Sequence, residues 1–95
     1  MSIIAGMPHY SRDTYERMRE ILSQSHKLPA SYDEWLDGFK KGFQQATLRG
    51  YRVEQINIHP DVFTAWCKAN VRHADYESLR LFVNFTVAQV HGGVK

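Results

Sequence analysis

Apolar positions along the chain fall into helical spacing at four places and into alternation at one. Tyr15, Met18, Ile21 and Leu22 make a first helical stripe, opposed by Arg12, Glu16, Arg17, Arg19 and Glu20 on the solvent side. Ser11 is placed as its N-cap, so a first helix is expected to start near Arg12, with Tyr10 and Tyr15 forming a hydrophobic staple, and to stop before Pro29. Ser31 and Glu34 have the Ser-x-x-Glu spacing of a capping box. Tyr32, Trp35, Leu36, Phe39, Phe43 and Ala46 follow it, and Gly50 suits the left-handed residue that ends a helix. Gly38 and Gly42 inside this second helix predict close packing against a neighbouring helix.

The period then changes to two. Gln55, Ile56, Asn57, Ile58 and His59 alternate polar and apolar, which predicts a strand with one buried face. Val53 has the opposite parity from Ile56 and Ile58, and a bulge near Glu54 would reconcile them. Pro60 fits the first turn of a third helix with Phe63, Trp66 and Cys67 on its stripe and Asn70 as a left-handed stop. Asp75 can cap a fourth helix carrying Leu79, Phe82, Val83, Thr86 and Val90, ended by Gly92 and Gly93. The stretch from Leu79 to Val87 also alternates and is rich in β-formers, but its cap and its length favour the helix. The expected fold class is therefore α+β and mostly helical: two helices, one strand, two helices.

A single strand cannot satisfy its own backbone groups. Either it pairs across a dimer axis, or a second segment of the chain is a strand. The first alternative makes a strand-paired homodimer, with Val53, Ile56, Ile58, Phe82 and Phe85 as interface candidates and an isologous contact. A length of 95 residues allows one domain, within which residues 1–8, containing a second candidate start at Met7, are expected to be loosely held.

Composition narrows the function without naming it. A net charge of +2 is too small to imply a polyanion partner by itself. The single cysteine, Cys67, excludes an intrachain disulfide and suits a reducing, cytoplasmic setting. No apolar run approaches membrane-spanning length, so no membrane association is expected. The five histidines, His9, His26, His59, His73 and His91, show no metal-ligand spacing, and no catalytic, cofactor-binding or phosphate-binding motif is present.

The order of a strand at 52–59, a short helix opened by Pro60 and a longer one opened by Asp75 resembles ribbon-helix-helix repressors over residues 52–91. That resemblance implies a dimeric DNA-binding regulator in which Gln55, Asn57 and His59, with Arg52 beside them, read bases. The chain departs from that pattern in the 50 or so residues preceding the strand, in Glu54, which repels phosphate, and in lacking a Gly at the inter-helix turn. Separately, Pro8-His9-Tyr10-Ser11, Trp35, Val53 to Ile58, Asp61-x-Phe63 and Trp66-Cys67 together resemble a group of small uncharacterised bacterial proteins, which supplies no activity. The leading expectation is a non-enzymatic homodimeric interaction or assembly module, with the DNA-binding regulator as the alternative.

Overall fold

The computed structural model describes residues 4–90, an α+β domain of two parallel strands and four helices. In chain order these are β1 (Ile4–His9), α1 (Tyr15–Leu22), α2 (Tyr32–Leu48), β2 (Arg52–Asn57), α3 (Pro60–Ala69) and α4 (Tyr76–Val90). The strands pair residue for residue, Ile4 beside Arg52 through His9 beside Asn57.

This pairing corrects three expectations. The partner of β2 is the chain's own N-terminal segment, so the loose attachment expected over residues 1–8 fails from Ile4 onward. The unbroken register contains no bulge at Glu54. Val53 instead occupies the second face of a sheet that is covered on both sides. Met7 reaches Gly42 of α2 on one side, and Gly6 lies against Val83 and Val87 of α4 on the other. Finally, Ile56, Ile58 and Phe82, named as dimer contacts, are buried inside the chain's own core, while Val53 is half-buried and Phe85 remains 46% exposed. The last segment is a helix, as its Asp75 cap indicates: the Asp75 carboxylate accepts the Ser78 N–H at 2.8 Å, which holds that carboxyl below the usual range. Gly92, Gly93 and His91 lie outside the described residues.

Local chemistry explains most element ends. The Ser31 hydroxyl accepts the Glu34 N–H at 3.1 Å, and Gly50 takes φ +91° at the end of α2. Helix α1 starts later than expected, at Tyr15, because residues before it form a turn closed by the Thr14 N–H to the Ser11 carbonyl. After α3 the left-handed residue is Val71 (φ +53°), not Asn70. The Arg72 and Val71 amides donate back to the Cys67 and Lys68 carbonyls, as in a Schellman ending.

The core runs from Tyr10, Tyr15, Met18 and Leu22 through Trp35, Ile56 and Ile58 to Phe63, Cys67, Leu79, Phe82 and Val83. Its polar tips are satisfied: the Tyr15 hydroxyl donates to the Pro29 carbonyl at 2.6 Å and the Tyr32 hydroxyl to the Tyr10 carbonyl at 2.9 Å. The two glycines of α2 are not a helix-packing device. A Cβ on Gly42 would meet only the tip of Met7, and one on Gly38 would meet nothing within 4 Å. Gly38→Ala is therefore expected to stabilise the protein by about 0.5–1 kcal/mol, through helix propensity alone, as read from a urea unfolding midpoint.

Candidate functional site

Backbone direction along a strand alternates, so one hydrogen bond fixes the direction of every residue in β2. The Ile58 N–H donates to the His9 carbonyl at 2.9 Å, toward β1. Ile56 and Glu54 therefore turn their N–H and C=O groups to β1, whereas Val53, Gln55 and Asn57 turn theirs to the outer edge. The same alternation sets Ala5, Met7 and His9 toward β2 and Ile4, Gly6 and Pro8 toward the outer edge of β1.

The two edges differ. Pro8 has no N–H and sits where β1 needs none, since its nitrogen faces away from β2. A proline there blunts that edge against further pairing. The outer edge of β2 has neither proline nor lysine, and Gln55 and Asn57 on it are exposed. Their side chains are linked, Gln55 Nε2 donating to Asn57 Oδ1 at 3.2 Å.

Beside this edge lies a groove of about 620 Å³. Its wall is one flank of α2, where Leu36, Lys40, Phe43, Gln44 and Thr47 recur at helical spacing, and its floor is His9 and Gln55. His9 is wedged edge-on between Trp35, at 5.3 Å between ring centres, and Phe39, at 5.0 Å, and Phe39 leads on to Phe43. Phe43 is 36% exposed and Leu48 83%, so the groove is open and mainly apolar, with Lys40 and Gln44 at its rim. It lies within the range of volumes typical of ligand pockets but has few convergent polar groups.

No family model, curated protein or solved structure matches the chain.

The residues singled out from the sequence are thus brought together in part. Arg52, Gln55, Asn57 and His59 are all exposed along or next to β2. Gln55, Asn57 and His59 share the parity of the α2 side, and Arg52 has the other. Sequence reasoning missed His9, Phe43 and Leu48 as groove residues. Phe43 and Phe39 lie on the apolar stripe of α2, which by itself predicts burial, and nothing in the sequence sets His9 beside them, because only the pairing of β1 does so. Chemistry elsewhere is sparse. Cys67 is buried, and its thiol is pushed up first by burial and second by the Asp75 carboxylate, which disfavours the nucleophilic thiolate. Among the described residues no three His, Cys, Asp or Glu side chains are grouped to hold a metal ion, and no helix is long and apolar enough to cross a membrane.

Proposed function

We propose that this chain is a non-enzymatic interaction module that takes up an extended protein segment as a third strand on the outer edge of β2. Alternate side chains of that segment enter the α2 groove. The observation that carries this reading is adjacency: an edge with outward-facing backbone groups at Val53, Gln55 and Asn57 runs directly beside an apolar trough lined by Phe39, Phe43 and Leu48. Backbone bonds supply affinity in such strand addition, and the trough supplies selectivity. An extended partner suits the trough better than a base pair does, because a major-groove ribbon needs one bare sheet face, and here α2 and α4 each cover one. The DNA-reading alternative accordingly ranks second, resting on exposed Arg52, Gln55, Asn57 and His59.

Gln55→Pro tests the reading directly. It removes an outward N–H while leaving the β1 pairing intact, as Pro8 does on the opposite edge. Peptides selected from a random display library are expected to bind wild type and to lose at least about tenfold in affinity against Gln55→Pro and against Phe43→Glu. Peptides that bind both variants as well as wild type would overturn strand addition. Binding to duplex DNA that falls steeply with salt, and is lost in a Gln55→Ala/Asn57→Ala variant, would move the edge to the nucleic-acid reading instead.

A further inference from the structure

We infer that the segment received by the β2 edge is β2 of a second copy of this chain, running antiparallel about a two-fold axis at Ile56. The inference rests on the strand-addition reading and names its partner. Three features single out a second copy.

The first is the sheet. Two parallel strands are fewer than sheets ordinarily contain, and parallel pairing is the weaker kind per residue. Joining two copies at β2 gives four strands in the order β1, β2, β2, β1, and both outermost edges are then the ones carrying Pro8.

The second is self-complementarity. Outward backbone groups on β2 occur at odd positions, so an antiparallel copy can pair odd with odd in only a few registers. An axis at Glu54 would put two carboxylates face to face. An axis at Ile56 sets Gln55 opposite Asn57 of the second copy, and Asn57 opposite its Gln55, two uncharged amide side chains that already bond to each other within one chain. It also sets Val53 opposite His59, whose backbone is still extended (φ −103°, ψ 118°) before α3 begins. The His59 carbonyl is committed to the Phe63 N–H at 2.9 Å, but its own N–H points outward and can reach Val53 of the second copy.

The third is the groove. It is lined by the exposed flank of α2 and by Gln55 of the β2 edge, so pairing of two copies at that edge would bring the groove of each copy toward that of the other. Phe43 and Leu48, at 36% and 83% exposure, are then shared between the two α2 helices, as an isologous contact requires. Apolar surface of this kind at one edge of so small a domain is characteristic of a subunit contact.

Sedimentation velocity of wild type, Gln55→Pro and Phe43→Glu tests the partner, with circular dichroism confirming that each variant keeps its helices. Wild type is expected to sediment as a dimer at micromolar concentration, and each variant to associate at least about tenfold more weakly. Amide exchange on dimerisation is expected to slow at Gln55, Asn57 and His59. Protection at Gln55 and Asn57 that leaves His59 unchanged would overturn the axis at Ile56. Wild type that stays monomeric at roughly 100 μM would overturn the second copy as partner while leaving strand addition to the peptide experiment. A dimer untouched by either variant would overturn this interface. Should Gln55→Pro lose its fold, Phe43→Glu, which alters only the open flank of α2, still decides.

Discussion

Phe63→Ala is expected to cost about 3–5 kcal/mol, a large part of the margin of any small domain. The side chain is fully buried, its ring lies 5.7 Å from that of Phe82, and Phe82 in turn lies 5.4 Å from Trp66. Removing Phe63 therefore leaves a void between α3 and α4 that stiff aromatic neighbours cannot close. Its position follows from the chain around it: His59 ends the extended segment, Pro60 opens α3 and is itself buried, and Phe63 follows it by three residues on the same inward face. A thermal melt should fall by at least about 12 °C, given the enthalpy of a domain this size. Val62→Ala, one position away and 55% exposed, should stay within about 0.5 kcal/mol of wild type. Comparable effects of the two substitutions would contradict the assigned face of α3.

Gly6→Ala should destabilise for the opposite reason, excess volume. A Cβ on Gly6 would lie 2.7 Å from Val83 Cγ1 and 2.7 Å from Val87 Cγ2. Both neighbours are β-branched side chains on a helix, where χ1 is nearly fixed, so they cannot swing aside. The expected net loss is about 1–3 kcal/mol, even after the gain from a less flexible unfolded chain. Val83→Ala removes one of the clashing methyls. The double variant should then be more stable than the sum of the two single effects by at least about 0.5 kcal/mol in a double-mutant cycle. Strict additivity would mean that β1 and α4 do not approach each other as described.

These two substitutions also mark where the sequence was legible. Helices α2, α3 and α4 and strand β2 were readable because each carries its own local signal: the capping box at Ser31 and Glu34, Pro60 at a helix start, Asp75 as a cap, and alternation from Gln55 to His59. Strand β1 was not readable. Ile4-Ala5-Gly6-Met7-Pro8-His9 contains the two residues that usually argue against a strand, and both become intelligible only once their neighbours are known. Gly6 is small because α4 comes close, and Pro8 is tolerated because its nitrogen faces no strand. The requirement that β2 find a partner was the available clue. It pointed to Leu79–Val87 or to a dimer because those segments look more like β-structure in isolation. The candidate groove inherited the same blind spot. Gln55 and Phe43 could be singled out, but only β1 brings His9 to the floor between them.

Pro8 has a consequence for assembly that polymer chemistry describes best. A building block with two reactive ends grows into a chain of indefinite length, whereas a block with one reactive end stops at a pair. A sheet fragment with both edges open belongs to the first kind, and that is the route to fibres. By taking one outward-facing hydrogen-bond donor off β1, Pro8 disfavours growth at that edge. On the strand-addition reading, growth at β2 would then end after a single addition, leaving a pair and not a fibre.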